Sequence, residues 1–214
     1  GADADGFVNV NFGYNWMLDP DAAMVTPDRW DFYATFFHEI THALGFGATL
    51  SEAGADVFGV GNDGGTAGHW STFDSHLTNC AGEALISPEK LTINAGTYDQ
   101  AKSGGGSVCF DGAFARLGNN GHPVELYTPF DYLQGSSLKH VSQDAFASTV
   151  MMKWDRNPGA DEARDYNTAE LGILRDLGYG WVGAVSPVPE PATWMMMAAG
   201  LLGLVWTRRA RPHV

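Results

Sequence analysis

Lysine is scarce in this chain, with four residues in 214, and charged side chains make up only 17% of the total. Twelve basic against 25 acidic groups give a formal net charge of −13, and Arg208, Arg209 and Arg211 place three of the twelve in the last seven positions. The body is therefore still more acidic, which argues against a nucleic-acid partner, because phosphate binding needs clustered cations. Cysteine is nearly absent. Cys80 and Cys109 are compatible with one disulfide in an oxidising compartment, or with two buried thiols. Neither an initiator methionine nor a signal-peptide pattern opens "GADADGFVNV", so the chain reads as a mature form or a fragment. No internal repeat is evident. What is present suits a folded, loop-rich, extracytoplasmic protein: 44% hydrophobic and 12% aromatic residues with 27 glycines, in a length that holds one domain plus an appendage.

The appendage is the C-terminal end, "VPEPATWMMMAAGLLGLVWTRRARPHV". A Pro-rich break precedes an apolar run from Ala192 to Trp206, and arginines follow. The run is about 15 residues, short of the ~20 that cross a bilayer comfortably but longer than a core strand. It has no polar face, which disfavours an amphipathic core helix. Flanking Trp194, Trp206 and arginines fit a short membrane segment with its C-terminus held inside. The order of Val188-Pro189-Glu190-Pro191, short apolar helix and basic end resembles a PEP-CTERM sorting signal over residues 188 to 211. That resemblance implies export to the envelope of a Gram-negative bacterium, a transient membrane anchor, and processing by an exosortase. The expected organisation is a body over residues 1–182 that lacks its N-terminal part, a linker over 183–191, and the sorting tail over 192–214.

In the body, Val8, Val10 and Phe12 alternate with Asn9 and Asn11, a strand pattern within residues 6 to 16. Thr26, Pro27, Asp28 and Asp31 signal a helix start. Phe32 to Leu44 contains no Gly or Pro, and Gly45 supplies the residue that ends a helix in the left-handed conformation. Residues 47 to 139 are less regular, with strands expected in "ALISPEKLTI" and "GSVCFDGAFARL". A last helix is expected in "NTAELGILRDLGYGW", with a capping box from Asn167 and Glu170, an apolar face of Leu171, Leu174 and Leu177, and a stop at Gly178.

The chemistry sits in "HEITHALGFGA". His38 and His42, at i and i+4 of a helix, lie about 40° apart around its axis, so both imidazoles can reach one metal ion. Glu39, roughly 100° round from His38, reaches beside the metal, where a general base acts on the attacking water. Zinc lowers the pKa of such a water to about 7 and polarises a carbonyl, which is the chemistry of amide hydrolysis. Two surface histidines sharing a helix by chance is the plainer alternative, but this helix is apolar, and unpaired polar groups buried in it are costly. A third protein ligand is required, and Ala48 stands where a compact site would supply it.

"HEITHALGF" resembles the long motif of the metzincin zinc proteases through Gly45 and departs at Ala48. In leishmanolysin-like members and related bacterial secreted proteins, an insertion separates the Gly turn from the third histidine, which precedes a buried methionine turn. "GSSLKH" is similar to that segment. His140 stands twelve residues before Met152 in "STVMMKW", with the final helix after it; Met151 is the alternative methionine. The resemblance thus implies zinc on His38, His42 and His140. His69, His76 and His122 are the other histidine candidates, each otherwise a surface or packing residue. Glu52, with Asp56, has the spacing of a gluzincin ligand pair, although the connection from His42 leaves little chain to reach a second helix.

The expected fold class is α+β and zincin/metzincin-like: a twisted sheet packed on the active-site helix, and an irregular C-terminal subdomain ending in a helix. The expected function is a secreted or cell-surface zinc endopeptidase acting on protein or peptide substrates, with one catalytic zinc ion and Glu39 as base. The alternative is a non-catalytic envelope or matrix protein whose zinc only braces the fold. The Gly-Asp loops leave room for calcium but specify none. The acidic body implies a long-range field that favours basic substrate segments. Zinc content and activity of His69→Ala, His76→Ala, His122→Ala and His140→Ala, measured side by side, separate the candidate third ligands. Only His140→Ala is expected to lose both, and stoichiometric zinc with full activity in that variant defeats the assignment.

Overall fold

In the computed structural model the chain divides into two units, residues 1–182 and 183–214. The described residues are 8–19, 26–55, 70–146, 150–159 and 162–180, all within the first unit. The expected linker and sorting tail, His69 and Asp56 lie outside them. No helix among the described residues is long and apolar enough to cross a membrane.

The described residues mix short helices and strands. Strand β1 (Trp16–Met17) pairs in parallel with β2 (Trp30–Asp31). Helix α1 (Phe32–Ala43) follows β2 without a break, because the Asp31 carboxylate accepts the Ala34 N–H and caps the helix. The expected start and stop of this helix are both realised. At its C-terminus Gly45 takes φ 90°, and the Gly45 and Phe46 N–H groups return to the carbonyls of His42 and Thr41 at 2.9 and 3.2 Å. That is the bonding pattern of a glycine-terminated helix.

The strand expected over residues 6–16 is not formed by its described part; pairing begins only at Trp16. Asn11 turns the chain instead: its side chain accepts the Gly13 N–H at 2.9 Å, and its carbonyl accepts the Trp16 indole N–H at 2.8 Å. The asparagines that mimic an alternating polar face are here turn formers.

Beyond α1 come α2 (Thr72–Ser75), β3 (Leu77–Asn79), α3 (Ala95–Ala101), β4 (Val108–Phe110), α4 (Ala113–Gly118), β5 (Val124–Glu125) and α5 (Gln143–Phe146). Strands β3, β4 and β5 form an antiparallel sheet with β4 central. All three β4 residues are buried, as suits a strand covered on both faces. The expected strand in "ALISPEKLTI" forms isolated bridges alone, Ala84 to Thr78 and Ile86 to Ile93, the second closed by a turn around Pro88. "GSVCFDGAFARL" divides into β4 and α4. Cys80 and Cys109 are joined as a disulfide, tying the end of β3 to β4.

Phe46, Phe73 and Phe110 pack ring to ring at 5.5 and 4.9 Å. They run the core from the stop of α1 to the central strand, and each buried ring contributes about 1.5–3 kcal/mol. The last helix, α6 (Thr168–Asp176), has the expected Asn167–Glu170 capping box. It lies close against α4 because Gly118 and Gly172 leave no side chain between the backbones; a Cβ on Gly172 would stand 2.3 Å from the Phe114 carbonyl oxygen. The Asp176 carboxylate accepts the Phe114 and Ala115 N–H groups at 3.1 and 2.8 Å, capping α4 from across the interface.

The C-terminal stretch also grips α1 along its length. Arg164 pairs with Asp31 at 2.7 Å, the Tyr166 hydroxyl meets Thr41 at 2.6 Å, and the Tyr179 hydroxyl donates to the Leu44 carbonyl at 2.8 Å. Start, middle and end of the helix are thereby fixed.

Reduction of the disulfide, which closes a 29-residue separation, is expected to lower unfolding free energy by about 3–4 kcal/mol. Urea denaturation with and without reductant measures it, and an unchanged midpoint would rule out the bridge.

Candidate metal centre

His38 and His42 share a face of α1 as the i, i+4 spacing requires, and His140 comes to them from the far side of the 98-residue separation. One ligand atom from each ring lies within 4.8 Å of the others. The Nε2 atoms of His42 and His38 are 3.0 Å apart, and those of His42 and His140 are 3.3 Å apart. His76 packs its ring on Phe110, His122 is exposed, and Glu52 is exposed, so none of them joins this cluster.

The opposite nitrogen of each ring is anchored to a backbone carbonyl. His38 Nδ1 stands 2.9 Å from the Met151 oxygen, His42 Nδ1 2.8 Å from that of Phe46, and His140 Nδ1 2.9 Å from that of Ser136. A carbonyl only accepts, so each Nδ1 carries the proton and donates. Each neutral Nε2 is then left with a lone pair and no proton. The short Nε2–Nε2 approaches are therefore not hydrogen bonds but lone pairs aimed at a common point.

A second proton is disfavoured electrostatically. Burial, then the Arg156 guanidinium and His42, hold the His38 imidazole down to about 2. Burial and His42 hold His140 down to about 4, and burial also lowers His42. Three converging neutral imidazoles, each with an unprotonated Nε2, fit a zinc-type ion, with a position left for a further ligand. Their carbonyl anchors are the outer-shell contacts that fix tautomer and ring orientation in such sites.

The local folding explains each anchor. The glycine stop of α1 swings the Phe46 carbonyl back over His42. The "GSSLKH" segment turns at Leu138, whose φ of 64° is left-handed and costs a branched residue about 1–3 kcal/mol. Its side chain is fully buried, its N–H donates to Tyr127 at 2.9 Å, and its carbonyl accepts the Ala48 N–H at 3.2 Å. Ala48, where a compact site would carry its ligand, thus docks the segment that brings His140.

Of the two methionines, both fully buried, Met151 makes the contact to the histidines, through its carbonyl. Met152 accepts the Val141 N–H at 2.8 Å and donates its own N–H to Glu170 at 2.7 Å. Sequence reasoning missed Arg156, whose Nη2 donates to the same Met151 oxygen at 2.6 Å and lies 3.2 Å from His38 Nδ1. Both nitrogens are donors sharing one acceptor. A lone arginine in a polar loop carries no signal of this. Glu39 is exposed on α1, and its charge acts on both His42 and Arg156. Beside His42 a cavity of about 300 Å³ opens.

Residues 187–209 match the PEP-CTERM protein-sorting motif. The motif marks an exported protein of the Gram-negative envelope, sorted by exosortase-type machinery. No curated protein and no solved structure matches the chain.

Glu170 supports the Met151–Met152 segment from α6, and burial raises its carboxyl to about 7. The folded protein therefore keeps this proton up to pH 7, whereas the unfolded chain loses it near the ordinary value of 4.5. Stability from this group is lost as pH rises from 4.5 to 7, by on the order of 3 kcal/mol. Urea denaturation of wild type and Glu170→Gln at pH 4.5 and pH 8 checks it. The stability advantage of the wild type is expected to be larger at the lower pH, and equal differences at both would refute the buried titration.

Proposed function

We propose that the protein is an exported zinc-dependent endopeptidase of metzincin type, with an inserted segment between the helix glycine and the third ligand. The convergence of three imidazoles, those of His38 and His140 buried and that of His42 half-buried, each with its Nδ1 proton given to a backbone carbonyl, supports this reading. The helix–glycine-stop arrangement of α1, a buried methionine segment under His38 and a final helix behind it accord with a zincin/metzincin-like α+β fold. On this reading His38, His42 and His140 hold the zinc through Nε2.

A zinc ion there supplies Lewis acidity toward the substrate carbonyl and the attacking water. Glu39 follows His38 directly on α1 and is exposed to solvent, so its carboxylate is free to take the proton of the attacking water and return it to the leaving amine nitrogen. Arg156 and the Met151 carbonyl keep His38 in one tautomer. The burial of His38 and His140, 4% and 6% exposed, keeps competing water from the ring edges. The disulfide is consistent with work outside the cytoplasm.

The second reading, zinc as a brace in a non-catalytic envelope protein, draws on the same burial. Glu39 distinguishes the two, since a structural site needs no base. Glu39→Gln is expected to lower peptide hydrolysis by about 10²–10⁴-fold with zinc content unchanged. A wild-type protein that holds one zinc and cleaves no peptide establishes the brace.

A further inference from the structure

The cavity beside His42 lies between the loop that follows α1 and the segment that carries His140. Phe46, Ala48 and Thr49 line one wall, Lys139 the other, and Ser71 closes an end. The walls are locked together: Ala48 bonds the Leu138 carbonyl, and Gly47 approaches so closely that a Cβ there would stand 3.3 Å from that of Lys139. A cavity of about 300 Å³ has room for about ten water molecules. That is at the small end for ligand pockets and suits one substrate side chain with its flanking backbone.

The charge in this lining is Lys139. It forms no ion pair among the described residues, and its field reaches both His42 and His140. Asp74, a buried acid bonded to the lining residues Thr49 and Ser71, makes no ion pair with it. The Asp74 oxygens accept from the Thr49 N–H at 2.9 Å, the Thr49 hydroxyl at 2.5 Å and the Ser71 hydroxyl at 2.7 Å, so this carboxylate is committed to holding the pocket wall.

We infer that the cavity is a side-chain subsite for a carboxylate, with Lys139 as the counter-charge, so that the enzyme prefers Asp or Glu at one position next to the cleaved bond. This rests on the protease reading above. It also reverses, at that one position, the preference for basic segments expected from the net charge of −13. The far field of surface acids is screened beyond about 8 Å at physiological salt, whereas a lysine inside a partly enclosed cavity acts at contact range.

The test uses zinc-loaded wild type, Lys139→Arg, Lys139→Met and Lys139→Glu, with zinc content measured for each. Substrates are short alanine-rich peptides carrying Glu, Gln or Lys at successive positions. Wild type and Lys139→Arg are expected to favour Glu over Gln about tenfold in kcat/KM at one position. Lys139→Met should level the two, and Lys139→Glu should turn the preference to Lys. Fluorescent versions of the same peptides, titrated into the Glu39→Gln variant, should bind in the wild-type order without turnover. Cleavage by wild type with no position favouring Glu, or a Glu preference that survives in zinc-replete Lys139→Met, overturns the subsite. Zinc binding by wild type with no cleavage of any peptide overturns the protease reading instead.

Discussion

Three lone pairs brought together, with His42 Nε2 at 3.0 and 3.3 Å from those of His38 and His140, are an electrostatic liability that the rest of the domain has to hold in place. Nothing within the triad relieves it, since each ring has given its one proton to a backbone carbonyl. Those carbonyls belong to Phe46, Ser136 and Met151, three residues in three separate turns. The centre is therefore a property of backbone path as much as of side-chain identity. The glycine stop after α1, the left-handed Leu138 and the packed methionine pair are all devices for delivering a carbonyl oxygen to an imidazole.

Rigidity behind the centre comes from the C-terminal stretch. Arg164, Tyr166 and Tyr179 fix α1 from end to end, while Glu170 holds the Met152 N–H and so sets where the neighbouring Met151 carbonyl stands. Lys153 and Arg156 share Glu162 at 3.0 and 3.3 Å in a buried cluster close by. A buried ion cluster is in general a poor stabiliser, because desolvation offsets its Coulombic gain. Its structural effect here is positional: it places a guanidinium beside His38 at the Met151 oxygen, so that this acceptor takes two neighbouring donors. A cluster built this way has little freedom to reorganise.

Legibility in the sequence followed the range of the interaction. The boundaries of α1 and α6, the capping box and the glycine stops were readable because each is set by residues within one turn of it. The pairing of His38 and His42 was legible from their i, i+4 spacing, whereas His140 joined them only through the resemblance of "GSSLKH" and the chain order of His, methionines and last helix. Elements of two to seven residues, such as β3, β5 and α3, fall below the length at which periodicity distinguishes helix from strand. The alternation at Val8–Phe12 misled because Asn serves equally as the polar face of a strand and as a turn former. The carbonyl anchors could not be read at all, since every residue has a carbonyl, and Arg156 and Lys139 carry no motif.

The 98-residue separation of His42 and His140 has a kinetic meaning. Contacts of such separation form late, after loop-closure entropy has been overcome by the intervening core. A ligand that binds only the completed triad stabilises the native state by mass action and leaves earlier states untouched. The three imidazoles therefore meet only once the turns that carry their carbonyl partners have come together, so the cluster belongs to the completed fold and to no single segment.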